Sequence, residues 1–160
     1  MLDADALKLI APIEDWWKLL PDQTVLTPHP GEMAALTGLT IDQVQADRAA
    51  VALKFARQWD CVVILKGAFS VVAAPSGDLT VIPVATPALA KAGSGDVLAG
   101  VLVGLMAQGM PADPAAVAAA WLHAQAGLQA ESDLGNPVSV LASDTLAALP
   151  AIFSRLSDLA

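Results

Sequence analysis

The chain predicts an α/β fold, with a mostly parallel sheet, helices on its faces and a β-hairpin at one side. Three observations carry that prediction. Cys61-Val62-Val63-Ile64-Leu65 is a continuous, largely β-branched run, as expected of a strand covered on both faces. Thr24-Val25-Leu26-Thr27 is a shorter strand that passes through Pro28-His29-Pro30-Gly31-Glu32 into a helical pattern. Residues 69–74 and 79–84 read as two further strands around Pro75-Ser76-Gly77-Asp78, a hairpin signal.

The elements follow in order. Met1-Leu2-Asp3-Ala4-Asp5-Ala6-Leu7 reads as the exit of a strand into a helix, with acidic residues at the corner. Trp16 and Trp17 lie in an amphipathic segment that ends near Pro21-Asp22. No basic residues interleave with them, so they read as packing anchors and not as a stacking platform. Pro30 suits the first position of a helix and Glu32 its first turn. His29 and Glu32 therefore stand at the carboxyl end of a strand, the edge of an open parallel sheet where ligands bind. Residues 41–59 read as one helix whose apolar face is Val44, Ala49, Val51, Ala52, Phe55 and Ala56. Met110-Pro111-Ala112-Asp113-Pro114 breaks the chain, and residues 115–131 form an alanine-rich helix on which His123 reads as core. Ser143-Asp144 caps a last helix running through Leu146, Leu149, Ile152, Phe153 and Leu156.

Composition narrows the function classes. Hydrophobic residues make up 56% of the 160 residues and charged ones only 15%, enough for one domain, residues 1–160, with a sizeable core. A formal charge of −8 argues against a nucleic-acid groove or an anionic membrane surface, although helix N-termini and a few cations still bind phosphate locally. The single cysteine, Cys61, excludes an internal disulfide framework. With no basic leader and no apolar span long enough for a bilayer, a cytoplasmic protein that engages neither membrane nor nucleic acid is expected. Two histidines and one cysteine, far apart, do not make a zinc site.

The densest chemical signal is Ala92-Gly93-Ser94-Gly95-Asp96-Val97-Leu98-Ala99-Gly100, leading into a long apolar run. Small residues ahead of a helix leave its first-turn N–H groups open to a phosphate or a developing anion. Asp96 would repel a phosphate that the loop merely binds. It is either a base that takes a proton from a hydroxyl during phosphoryl transfer, or a cap of the helix. The loop is neither a P-loop, since no Gly-Lys-Ser/Thr follows, nor a dinucleotide GxGxxG. Lys66-Gly67-Ala68 ends the central strand; Lys66 is either a phosphate contact or a solvated strand-end lysine.

Taken together, Thr27-Pro28-His29-Pro30-Gly31-Glu32-Met33, Leu65-Lys66-Gly67-Ala68 and the loop from Ala92 to Gly100 resemble the ADP-dependent NAD(P)H-hydrate dehydratases, a branch of the ribokinase-like superfamily. The resemblance continues through Leu122-His123, Ala126-Gly127, Ala142-Ser143-Asp144 and Leu149-Pro150. The His-Pro-Gly-Glu corner discriminates it from sugar kinases, which tend to carry asparagine there. The resemblance implies a three-layer α/β/α sandwich of ribokinase type. It also implies repair of hydrated NADH and NADPH, with ADP consumed to AMP and phosphate. By resemblance, Asp96 is the base, Gly93, Ser94 and Gly95 form the anion hole, and His29 and Asp96 contact the damaged cofactor. Lys66, Gly67, Ala68, Phe69, Ser70 and Gly95 would hold ADP or AMP. Glu32 would organise Mg2+ and phosphate, the metal being implied by the family and by no ligand cluster. Two departures stand out. Thr86-Pro87-Ala88-Leu89-Ala90-Lys91-Ala92-Gly93 replaces the Asn-Pro-Gly-Met-Ala-Thr-Gly-Gly of many relatives. The first residues match the middle of the family domain, so the chain is expected to be its carboxyl-terminal part. Homo-oligomers are expected, and supply of an amino-terminal portion by another chain stays open. A ribokinase-like vitamin-precursor kinase and a non-catalytic half-domain that binds nucleotide, or only a partner chain, and serves assembly stay open as alternatives.

Overall fold

The computed structural model describes residues 1–157. Its elements are α1 (Asp5–Ile10), β1 (Val25–Leu26), α2 (Pro30–Thr37), α3 (Ile41–Ala46), α4 (Arg48–Trp59), β2 (Val62–Leu65), β3 (Val71–Ala73), β4 (Leu79–Val81), α5 (Ser94–Ala107), α6 (Ala112–Leu134) and α7 (Ala142–Ser157). The strands form one sheet in the order β1-β2-β3-β4. β1 and β2 are parallel, with Val25 opposite Val62, whereas β2, β3 and β4 run antiparallel. Leu2 adds a parallel bridge to Leu26 on the outer side of β1. The sheet is thus mixed: parallel where chain crossovers build it, antiparallel where the hairpin closes it.

Alternation along the strands sorts side chains to two faces. Leu26, Val63, Leu65, Val71 and Ala73 join a core with Leu7, Met33, Val44, Phe55 and Trp59 from α1 to α4. Val25, Val62, Ile64 and Val72 join the opposite core with Leu98 and Leu102 of α5 and the alanines of α6. Two cores on two faces make three layers, and β2 is fully buried because both faces are covered. A third cluster binds α6 to α7 through Leu122, Ala126, Leu149 and Ile152. Cys61 is buried as a small apolar residue, its thiol pushed up to about 11 by burial.

The strands are shorter than the sequence expectation, and four helical segments differ from it. Residues 41–59 are two helices, because Asp47 leaves the helical region (φ −150°, ψ 78°) and its carboxylate accepts the Ala50 N–H at 2.9 Å. An aspartate that caps a new helix outcompetes continuation of the old one. The Trp16 segment is a single 3-10 turn, Trp16–Leu19. Trp16 is buried with its ring 4.8 Å from Trp59 and 5.6 Å from Trp17, a packing anchor as expected. α6 begins at Ala112, three residues early, since Pro114 falls in the first turn where a missing N–H costs nothing. In α7, Ser143 is inside the helix, and it is Asp144 that reaches back to accept the Leu141 N–H at 2.8 Å. Among the described residues no helix is long and apolar enough to cross a membrane.

Candidate functional site

Leu2, β1 and β2 run parallel, so their carboxyl ends open on one edge and deliver Asp3, His29 and Lys66 to it. The Lys66 N–H donates to the Pro28 carbonyl at 2.8 Å, tying two of these corners together.

His29 is the N-cap of α2. Its Nδ1 accepts the N–H groups of Gly31 (3.0 Å) and Glu32 (3.2 Å), so a neutral ring carries its proton on Nε2, which stands 3.3 Å from Glu32 Oε1. The Glu32 side chain completes a capping box by accepting the His29 N–H at 2.8 Å through Oε2. The corner is therefore locked, while about half of the His29 side chain stays exposed (52%). Glu32 is buried at 6% exposure.

Lys66 is not a solvated strand-end lysine. Its side chain is 20% exposed, and Nζ lies 2.6 Å from Asp3 Oδ1 and 3.8 Å from Glu32 Oε2. After it, Gly67 takes φ +142° and Phe69 φ 54°, and the Ser70 hydroxyl donates to the Gly67 carbonyl at 3.0 Å. Phe69 is exposed and stands outside the cavity wall described below, unlike Lys66, Gly67, Ala68 and Ser70.

Gly93 is the N-cap of α5 at φ 83°, a left-handed conformation, and a Cβ there would meet Ala142 Cβ at 3.2 Å. Glycine is required twice over at this position. The Ser94 and Asp96 N–H groups are taken by the carbonyls of Lys91 (3.2 Å) and Gly93 (3.1 Å). Those of Gly93 and Gly95 have no protein acceptor among the described residues, so the anion hole narrows to two open donors at the positive end of the helix. A Cβ on Gly95 would lie 3.5 Å from Asp3 Oδ2 and 3.6 Å from Lys66 Nζ, which places the ion pair directly against this turn.

Around these groups lies a cavity of about 740 Å³, lined by His29, Lys66, Gly67, Ala68, Ser70, Ser94, Gly95 and His123 together with Thr86, Pro87 and Leu89. A second groove, between the hairpin and α6, is almost wholly apolar and holds none of these polar groups. Asp96 is exposed and outside the cavity wall, turned one residue around the helix from Gly95. Its carboxylate has no hydrogen bond or ion pair among the described residues, so it caps nothing.

His123 overturns its assignment to the core. It is half-buried in the cavity wall, with Nε2 2.9 Å from Ser94 Oγ, and so pins α5 to α6 at the anion hole. Burial, and secondarily the Lys66 charge, drive its pKa down from 6.5 to about 4 against the opposing Ser94 hydrogen bond, so the ring is neutral near pH 7.

A magnesium ion fits these residues poorly. Among the described residues no three His, Cys, Asp or Glu groups cluster, and both Glu32 oxygens are occupied by His29 and Lys66.

The family profile described as NAD(P)H-hydrate dehydratase matches residues 1–150. The chain belongs to that family. It is 43% identical over 160 residues to the bifunctional NAD(P)H-hydrate repair enzyme Nnr of Moorella thermoacetica, covering 99% of this chain and 30% of that protein. It is 38% identical over 159 residues to the ADP-dependent (S)-NAD(P)H-hydrate dehydratase of Neisseria meningitidis, covering 98% of this chain and 54% of that one. The chain therefore spans about half or less of the curated relatives it matches. Among solved structures, the ADP/ATP-dependent NAD(P)H-hydrate dehydratase of Bacillus subtilis, co-crystallised with ATP/Mg2+ and soaked with CoA, superposes with a TM-score of 0.74 at 36% identity, over 82% of this chain and 48% of that one. A ribokinase-like superfamily protein of Enterococcus faecalis, at 24% identity and a TM-score of 0.78 over 96% of this chain and 51% of that one, establishes the ribokinase-like fold.

Three residues in or beside this cavity escaped sequence reasoning. Asp3 carried a usable signal, an acid just after a strand-like residue, on the same edge as His29 and Lys66. His123 carried a weaker one, a lone imidazole in an alanine-rich helix. Arg48, in what reads as the middle of a helix, carried none; its guanidinium reaches the carbonyls of Leu65 and Ala68.

Proposed function

We propose that this chain carries the nucleotide half of an ADP-dependent (S)-NAD(P)H-hydrate dehydratase, residues 1–160 forming the carboxyl-terminal part of its domain. The observation that carries the proposal is one cavity wall in which the Lys66–Ser70 loop meets the open amides at the start of α5, with the carboxylate of Asp96 unpaired just beyond it.

ADP occupies the cavity along Lys66, Gly67, Ala68, Ser70 and Gly95, with Phe69 shaping the turn of the loop. Gly93 and Gly95 amides, with Ser94 held by His123, steady the charge on the transferring phosphoryl group. The damaged cofactor lies on the exposed side of α5, against Asp96 and His29. Asp96 takes the proton from the ring hydroxyl as its oxygen attacks the β-phosphorus of ADP, and AMP leaves. The phosphorylated hydroxyl is then a good leaving group, and the electron pair of the ring nitrogen expels inorganic phosphate. Loss of a proton regenerates the reduced nicotinamide. Magnesium, which the family implies, would travel with the ADP phosphates, Glu32 acting only by ordering the corner beneath them.

Asp96 shares an exposed face of α5 with Gly100, Val103, Gly104 and Ala107, a small, apolar surface. The remaining portion of a full-length domain, from the same or another chain, would cover that face and complete the substrate wall. The expected assembly is a homo-oligomer in a cytoplasmic setting.

The test is incubation of the purified chain with NADHX and ADP, following NADH absorbance and AMP release, alone and with the amino-terminal portion of a full-length relative. Equal amounts of NADH and AMP support the proposal. NADH formation without AMP, or phosphorylation of a vitamin precursor from ATP with no NADHX turnover, sinks it.

A further inference from the structure

The loop after β2 holds an unfavourable backbone, with Gly67 at φ +142° and the non-glycine Phe69 at φ 54°. What restrains it comes from another layer. Arg48, the first residue of α4, donates through one terminal nitrogen to the Leu65 carbonyl at 2.8 Å and through the other to the Ala68 carbonyl. A Cβ on Gly67 would lie 3.0 Å from Arg48 Nη2, so the guanidinium is seated directly beneath the loop. No carboxylate stands within ion-pair distance of Arg48 among the described residues, and its Nε is buried without a partner. Its charge is therefore directed at peptide oxygens. Burial without a counter-charge also pulls its pKa below the ordinary arginine value.

The carbonyls of Leu65 and Ala68 go to Arg48, and that of Gly67 accepts from Ser70 Oγ. The Lys66 N–H goes to Pro28 and the Phe69 N–H to Val84 at 2.9 Å. The N–H groups of Gly67 and Ala68 are left without a protein acceptor among the described residues, and both residues line the cavity. Consecutive free amides at a cavity wall are what an anion-binding concavity requires.

We infer that Arg48 is a positioning residue for the nucleotide loop: its fork holds the Leu65 and Ala68 carbonyls toward α4 and so presents the Gly67 and Ala68 amides to the phosphate oxygens of a nucleoside diphosphate. The inference rests on the nucleotide role proposed for this loop. A lysine cannot replace the fork, because a single ammonium centre does not span both carbonyls with the same planarity.

The test measures ADP binding by calorimetry, and hydrogen exchange at the Lys66 and Phe69 amides, in wild type, Arg48→Lys and Arg48→Met. Loss of two charge-assisted hydrogen bonds should weaken ADP binding about tenfold or more in Arg48→Met, with Arg48→Lys between it and wild type. Exchange at Lys66 and Phe69 should accelerate, while amides in the middle of α4 keep their protection. If Arg48→Met does not fold, Arg48→Lys decides the matter in the same direction. ADP affinity within twofold of wild type in both variants overturns the inference, whether or not exchange accelerates, and leaves Arg48 a purely structural residue. Wild type failing to bind ADP is a different result, and it overturns the nucleotide role of the loop itself.

Discussion

Replacing His123 with glutamine tests the link between α6 and the anion hole. Glutamine reaches the same depth and keeps a hydrogen-bonding nitrogen or oxygen for Ser94 Oγ, but it cannot take a proton near neutrality. In the native protein the imidazole pKa is lowered from 6.5 to about 4, chiefly because burial disfavours the cation and secondarily because Lys66 carries a like charge. The unfolded chain therefore binds a proton between pH 6.5 and 4 that the folded chain refuses. Stability contributed by the neutral ring is fully present above pH 6.5 and is lost as the pH falls toward 4. At 1.36 kcal/mol for each pH unit of that window, the ceiling is about 3 kcal/mol. For a chain of this size each kcal/mol moves the melting temperature by about 2–4 °C, so acidification should cost wild type up to roughly 6–12 °C more than His123→Gln. The assay is thermal unfolding by circular dichroism at half-unit steps from pH 7.5 to 4. Carboxylates titrating in the same range act on both proteins and cancel in the difference. Parallel melting curves for the two across the window would refute the claim that a half-buried, neutral imidazole holds this junction.

Asp96→Asn should cut turnover of NADHX by about 10²–10⁴-fold, the usual range for removing a general base, with ADP affinity nearly unchanged. Steady-state kinetics beside calorimetry checks it, and near-normal turnover removes Asp96 from the base role. His29→Ala should destabilise the chain by about 1 kcal/mol through loss of the α2 cap, whereas His29→Asn should not, because asparagine caps as well. Denaturant unfolding separates the two, and any loss of NADHX turnover in the asparagine variant then reports on contact with the cofactor. Gly127→Ala should be destabilising by about 1–2 kcal/mol despite the better helix propensity of alanine, since its Cβ would meet Leu89 Cγ at 2.7 Å; a variant as stable as wild type would show that Leu89 moves freely in the cavity wall.

Much of this protein was fixed by local chemistry and was legible in residue order. A β-branched run such as Val62-Val63-Ile64-Leu65 has one good use, as a strand buried on both faces, and both cores form around it. Proline at the start of α2, glycine at the left-handed Gly93 and the Pro75-Ser76-Gly77-Asp78 turn act over a few bonds, so they are readable without neighbours. The break at Asp47 was local as well, but an aspartate between helical segments is equally compatible with continuation, and only the cap it makes decided the case.

Tertiary structure decided the rest, because hydrogen bonds and charges act through space. Lys66 reads as solvated or functional until Asp3, 63 positions earlier, is found 2.6 Å away. His123 reads as core until α6 is laid against α5 and its ring meets Ser94. Arg48 means nothing along the chain, and acquires a partner only when α4 packs beside the end of β2. Residue order thus determined which backbone groups would turn, cap or pair. Only packing determined which polar groups lost water together, and a buried polar group takes its role from the partner that replaces the water.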